Sequence, residues 1–393
     1  MIEDVELRKI LDSRGNATVE AEVYTDVAAG RFSCASGAST GEHEVVSFAG
    51  SVDKSIENFD EEKLIGLSVF DQKGFDARLH EMDGTDNFSF IGGNVATALS
   101  IACARCAANT LSVPLYLYLG GRFATSLPLP LGNVLGGGKH AVGGTDIQEY
   151  LVISTAPRFV DRAFGNAAVH KKVKELLQKR FPEEAIGKGD EGAWVAKLGN
   201  EEALQLVKEA CDAVSDSMGF SVRAGLDIAA SELFDGTHYR YKEKKRTKEE
   251  QISFVAELVD KYGLYYVEDP LEENDFDGFA QLTAQVGGKA LVCGDDLFVT
   301  NRARVVKGIE LKAANCVLIK PNQVGTLSDT ADTVDLARKN GYYTVVSHRS
   351  GETEDSTIAH LAIAFSSAGI KCGAVGGERI AKLNELIRLE EEL

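Results

Sequence analysis

Two periods alternate along this chain. From Ala17 to Tyr24 (ATVEAEVY) apolar and polar residues take turns, the pattern of a strand with one buried face. From Gly93 to Thr110 the spacing becomes helical and Ala-rich, and Val113-Pro114 follows its end. Ser126–Pro130 (SLPLP) then breaks the pattern. A boundary near residues 121–127 divides the chain into an N-terminal domain, 1–123, and a larger C-terminal one, 124–393.

Beyond the boundary one unit recurs: a short apolar run, an ionisable residue at its end, then a helical stretch. Val222–Leu226, Leu264–Val267 and Ala290–Gly294 lead to Asp227, Glu268 and Asp295. Cys316–Ile319, Tyr342–Ser347 and Gly369-Ile370 lead to Lys320, His348 and Lys371. Successive ends lie 23 to 41 residues apart, near the length of a strand plus a helix and its loops. This alternation predicts a parallel sheet with helical crossovers, and a closed (β/α) barrel accommodates it better than an open sheet. A barrel gathers the C-terminal ends of its strands around one mouth. Six such ends in succession point to a site, not to six solvated loops.

Composition narrows the possibilities. With 393 residues, 44% of them hydrophobic, the chain can bury a large core without disulfides. Its 42 Lys+Arg against 60 Asp+Glu give a net charge of −18, which argues against a nucleic-acid partner. A small phosphorylated ligand needs only a local basic cluster. No apolar run approaches the length of a transmembrane helix, and Met1–Glu6 lacks the basic start of a signal peptide. The seven cysteines are scattered, and Cys103-x-x-Cys106 reads as a pair of small core residues on a helix. A protein of a reducing compartment, the cytoplasm, is expected. Tyr241–Glu250 (YKEKKRTKEE) reads as a solvated loop, with Thr247–Glu250 as a capping box ahead of Ile252–Val259.

The strand ends carry the chemistry. Asp227, Glu268 and Asp295 offer the oxygen ligands that a hard divalent cation such as Mg²⁺ requires, with Asp296 competing for the place of Asp295. Lys320 and Lys371 follow runs too apolar for surface residues. Beside Mg²⁺ and a second ammonium, a lysine pKa should fall from its usual value of about 10.4, which makes it a proton-abstracting base. Ser347–Gly351 (SHRSG) supplies an imidazole, hydroxyls and a guanidinium fork suited to phosphate. Gly189–Gly192 (GDEG) sets two acids in a glycine loop. Gly136–Lys139 (GGGK) is no nucleotide phosphate loop, because Asn133 replaces its first glycine and His140 its Ser/Thr. His43–Ser47 (HEVVS) lacks the second histidine of a zinc protease.

Taken in order, these segments resemble the enolase family. The resemblance rests on Leu11–Asn16 (LDSRGN), Ser36–Gly41 (SGASTG), Gly136–His140 (GGGKH), Gln148-Glu149 and Gly189–Gly192. It continues through Leu226–Glu232 (LDIAASE), Val267–Pro270 (VEDP), Gly294–Leu297 (GDDL), Leu318–Gln323 (LIKPNQ), Ser347–Asp355 (SHRSGETED) and Ile370–Gly373 (IKCG). It implies an α/β fold: a C-terminal (β/α)8 barrel of the enolase kind under an N-terminal α+β capping domain. The family's second barrel strand is antiparallel, a feature the spacing neither shows nor excludes.

The implied activity is reversible dehydration of 2-phosphoglycerate to phosphoenolpyruvate. Lys320 would be the base and Glu191 the acid, its proton retained with the help of Glu149. Asp227, Glu268 and Asp295 would hold one Mg²⁺. Ser39, in a lid at Ser36–Gly41, would help bind a second once substrate is present. Lys371 would face the substrate carboxylate, and Arg349 with Ser350 the phosphate. His140, Gln148, Glu149 and His348 would complete the substrate contacts, together with Glu268, Asp295 and Lys320. A homodimer or higher homo-oligomer, pairing through the N-terminal domain, is implied, with no nucleic-acid or membrane partner. The rivals are a superfamily lyase or isomerase acting on another carboxylate, and a non-catalytic binding protein of the same fold. Gly192–Trp194 (GAW), Pro321, His360 and a shortened Gly373–Arg379 depart from the family's common form and suggest a divergent, archaeal-type branch.

Overall fold

The computed structural model describes residues 1–37, 41–141 and 143–393, with the side chain of His140 set aside. Ala17–Tyr24 is the central strand of an antiparallel sheet, flanked by Asp4–Leu11 and Ala29–Ser33. Helix Gly93–Thr110 packs on this sheet, and the contact explains its small residues. A Cβ at Gly30 would lie 2.1 Å from the Cys106 backbone nitrogen and 2.2 Å from the Ala102 carbonyl oxygen. Only glycine fits there, and Ala102 and Cys106, one turn apart, leave the room for it. Cys103 and Cys106 are both buried free thiols, as the small-core reading expects.

Among the described residues, eight strands close into a barrel. In order they are Leu129–Gly136, Glu149–Ser154, Val222–Asp227, Tyr266–Glu268, Leu291–Gly294, Cys316–Ile319, Tyr343–Ser347 and Gly369–Lys371. The eighth pairs back to the first. The second runs antiparallel to both of its neighbours, and the other pairings in the ring are parallel. The connection before it explains why. Among the described residues between Gly136 and Glu149 there is a 3₁₀ turn at Gly138–His140 but no α-helix, and without a crossover helix the chain doubles back.

The six expected strand ends fall in consecutive strands, the third to the eighth. Asp227, Glu268 and Lys371 are the last residues of their strands, while Asp295, Lys320 and His348 come one residue beyond. Below them Leu131, Leu151, Ile153, Tyr266, Cys293, Cys316, Leu318 and Val345 form a separate apolar cluster inside the ring. Helices cover the outside, among them Lys248–Tyr262. Its capping box forms as the sequence predicts: Thr247 Oγ1 accepts from the Glu250 amide, and Glu250 Oε2 accepts from the Thr247 amide.

Candidate active site

Strand register sets the first half of the site. Glu149, Asp227 and Glu268 are side by side on the second, third and fourth strands. Lys371, at the end of the eighth, reaches across to all three, with Nζ 3.1 Å from Glu149 Oε1, 2.9 Å from Asp227 Oδ2 and 2.8 Å from Glu268 Oε1. All four groups are buried. The Tyr266 hydroxyl donates to the other Glu268 oxygen at 2.6 Å. Burial and the neighbouring acids push Glu149 well above the carboxylate range and Glu268 up to about 8. Burial opposes the Lys371 ammonium, yet the surrounding carboxylates hold its pKa well above normal.

Lys320 and Asp295 form the second half. Lys320 Nζ is 2.5 Å from Asp295 Oδ2, and Gln323 Nε2 donates to Asp295 Oδ1 at 3.0 Å. Thr300 Oγ1 accepts from the Lys320 amide at 2.9 Å. Thr300 holds a left-handed φ of 55°, costly for a β-branched residue, and so fixes the Lys320 backbone at the expense of local strain. The protein's own charges act on Lys320 against the expected fall. Burial pulls its pKa down, but Asp295 and Glu268 outweigh burial and raise it.

Asp295 and Asp296 are placed differently. Asp295 lines the same cavity as Lys320, whereas Asp296 faces Gly41. The tightest carboxylate group among the described residues is Asp269, Asp295 and Asp296, not the expected Asp227, Glu268 and Asp295. Asp269 is committed elsewhere: its two oxygens accept the amides of Asp295 and Asp296 at 3.0 and 2.8 Å. It shapes the turn that presents Asp295.

Arg349 is held by a residue from the N-terminal domain that sequence reasoning did not assign. Its NH1 and NH2 lie 3.0 Å from Glu44 Oε2, and NH1 also donates to Asn322 Oδ1 at 2.9 Å. Glu44 was visible only as part of a failed zinc motif. His348 Nε2 faces Glu191 Oε1 at 3.6 Å, and Asn133 Nδ2 donates to Glu191 Oε2 at 3.2 Å. The Glu191 loop is braced from behind. His170 Nε2 meets the Gly192 carbonyl at 2.9 Å, and the Trp194 indole donates to the His170 carbonyl at 2.8 Å. Trp194, a departure from the common family form, therefore supports the loop that carries Glu191. Gln148 donates to Asp227 Oδ2 at 3.3 Å. Gln148, Glu149, Glu191, Asp227, Asp295, Lys320, His348, Arg349, Ser350 and Lys371 line one polar cavity. Ser39 and the His140 side chain lie outside the described residues.

Comparison with known proteins matches both halves of the chain to family models. Residues 2–119 match the enolase N-terminal domain and residues 124–393 the enolase C-terminal TIM barrel domain. This chain belongs to the enolase family. It is 55% identical to the enolase of Archaeoglobus fulgidus over 392 residues, covering 100% of this chain and 97% of that protein. It is 53% identical to the enolase of Methanothermobacter thermautotrophicus over 403 residues, again covering 100% and 97%. The enolase of Picrophilus torridus is 48% identical over 396 residues, covering 100% and 99%. The antiparallel second strand, which the spacing left open, is thus an enolase-family feature present in this chain.

The donor chemistry suits the divalent cation that enolase-family membership suggests. Asp227, Glu268 and Asp295 each turn one oxygen toward a lysine ammonium, so the site already presents negative charge to cations. Hard oxygen donors from three adjacent strands, already facing cations, fit Mg²⁺.

Proposed function

We propose that this chain is an enolase, a lyase that interconverts 2-phosphoglycerate and phosphoenolpyruvate, and that the residues of the barrel mouth carry the reaction. The observation behind the residue roles is that Lys320, Glu191, Arg349 and Lys371 line one cavity. A base, an acid and two cationic anchors are the set needed to take a proton beside a carboxylate and release hydroxide on a phosphorylated acid. Lys320 Nζ takes the proton from the carbon next to the carboxylate, a step that needs the amine neutral and therefore the carboxylate charges that raise its pKa offset when the site is loaded. The electron pair of the broken C–H bond forms the carbon–carbon double bond as hydroxide leaves the neighbouring carbon. Glu191 gives that hydroxide a proton, releasing water. Glu149 and Glu191 are two acids in one buried cluster, and the Glu191 charge helps push Glu149 well up, so the pair retains a proton near neutral pH.

Arg349, held by Glu44 and Asn322, meets the phosphate with Ser350, and Lys371 meets the carboxylate. His348, Gln148 and His140 complete the contacts. Asp227, Glu268 and Asp295 would hold Mg²⁺, which when bound stabilises the negative charge that develops on the substrate carboxylate. We place a second Mg²⁺ with Ser39, the domain division at 123/124, a homodimer or higher homo-oligomer in solution, and the cytoplasm as the location. The test follows phosphoenolpyruvate by its ultraviolet absorbance. Wild type should form it from 2-phosphoglycerate only with Mg²⁺, and Lys320→Ala should not. A wild type without Mg²⁺-dependent signal would overturn the activity, and an active Lys320→Ala the base.

A further inference from the structure

The C-terminal helix Gly377–Glu392 supplies two cations that the reaction does not use, Arg379 and Lys382. Their exposures are 0% and 1%, and burying a guanidinium and an ammonium is costly unless they find partners; Arg379 Nε has only the charge of Glu378 Oε1 at 3.3 Å. Both are engaged by the loop that carries the phosphate-binding residues. Arg379 NH1 lies 2.7 Å from His348 Nδ1 and donates to the Arg349 carbonyl at 2.8 Å. Its NH2 donates to the Ser350 carbonyl at 2.8 Å. One planar fork thus grips three consecutive residues of the cavity wall. Lys382 holds the next stretch, donating to Glu352 Oε2 at 2.7 Å and the Thr353 carbonyl at 2.5 Å. Glu352 in turn accepts the Arg349 amide at 3.2 Å.

The contact with His348 has a chemical consequence. A guanidinium only donates, so the nitrogen it meets must offer a lone pair. Nδ1 is therefore bare, and the ring proton sits on Nε2, the atom facing Glu191. A carbonyl or carboxylate in the place of Arg379 would select the opposite tautomer. Gly373 and Gly376 flank the Arg379 side chain: a Cβ added at either would lie 3.1 or 3.2 Å from its Cγ, so glycine leaves the room its stem uses.

We propose that Arg379 is a positioning residue of this site: it fixes His348 as a neutral Nε2–H donor beside Glu191 and sets the backbone of Arg349 and Ser350. The catalytic part of this inference rests on the enolase reading. The tautomer part does not.

The experiment uses ¹⁵N-histidine-labelled full-length protein without substrate, with the His348 signals assigned by their loss in His348→Gln. Wild type should show a protonated Nε2 and a bare Nδ1. Arg379→Met should gain the Nδ1–H form, whereas Lys382→Met, which loosens the loop without touching the ring, should keep the wild-type tautomer. In turnover, Arg379→Met should lower kcat by about 10²-fold while KM moves by no more than about threefold, and Arg379→Lys, which keeps a charged donor nitrogen but loses the fork, should recover part of the loss. A wild-type His348 protonated on Nδ1 overturns the proposal whether or not Arg379→Met folds. An Arg379→Met protein that keeps the wild-type tautomer and kcat overturns it too, as does a Lys382→Met protein with the same tautomer change. Absent dehydration in wild type would instead sink the enolase reading and leave the nitrogen signals to be judged alone.

Discussion

The same strands build two layers that differ by one step of the pleat. Tyr266, Cys293, Leu318 and Val345 lie in the apolar cluster inside the barrel, and two residues later come Glu268, Asp295, Lys320 and Ser347. Residues i and i+2 share a face of a strand, so the lower layer is the floor of the upper one. The lower layer is dry and packed. The upper layer is almost as buried, but its charges are matched in pairs and clusters. Burial alone therefore does not distinguish core from site here. What distinguishes them is whether the buried atoms need partners, and the mouth supplies partners drawn from strands far apart in sequence.

Substitutions one pleat apart should separate the two layers. The largest effect belongs to the upper one: Lys320→Gln keeps a donor for Asp295 but has no basic nitrogen, so turnover should fall about 10²–10⁴-fold with little change in melting temperature. Phosphoenolpyruvate absorbance and thermal circular dichroism would check both halves. One layer down, Leu318→Ala should cost about 2–5 kcal/mol in denaturant unfolding while activity per folded molecule survives. A variant that loses activity as fully as Lys320→Gln while remaining folded would break the distinction.

Tyr266→Phe tests the bond between the layers. It leaves the floor filled but strips Glu268 Oε2 of its hydroxyl donor, and should cost about 1–3 kcal/mol by urea unfolding. The smallest effect lies outside both layers. His360 donates to Glu385, and this bond, aided by Arg388, holds the Glu385 carboxyl down at about 2 against an ordinary 4.5. A depressed carboxyl stabilises the fold above its unfolded pKa, and that stability drains away as pH falls from about 4.5 toward 2. His360→Gln should therefore lose roughly 1 kcal/mol at neutral pH and converge with wild type in strong acid, followed by pH-dependent melting.

Much of the site was readable in one dimension because barrel geometry converts strand ends into neighbours. Asp227, Glu268, Asp295, Lys320, His348 and Lys371 needed only the alternation of runs and helices to be placed at one mouth. Glu44 was not readable: it sits 305 residues from Arg349, in a loop with no period of its own. Arg379 was hidden for a similar reason: it showed only as the end of the shortened Gly373–Arg379, and the residues it grips lie 29 to 31 positions earlier in the chain. Asp269 looked like a second acid in VEDP, and only the fold turned its carboxylate toward the amides of Asp295 and Asp296.

Sequence by itself determined the periods, the order of the strands and the residue types at their ends, because those depend on local patterning of apolar and polar positions. It also carried the enolase signatures. Tertiary structure alone decided which charges meet: Lys371 with three acids, Lys320 with Asp295, and Arg349 with Glu44. It surrounded Lys320 with carboxylates that raise its pKa in the absence of a cation, and it set the Arg379 guanidinium against His348 Nδ1. The physical reason is that electrostatic energy in a buried site depends on distances of a few ångströms between groups hundreds of residues apart. No period along the chain encodes those distances.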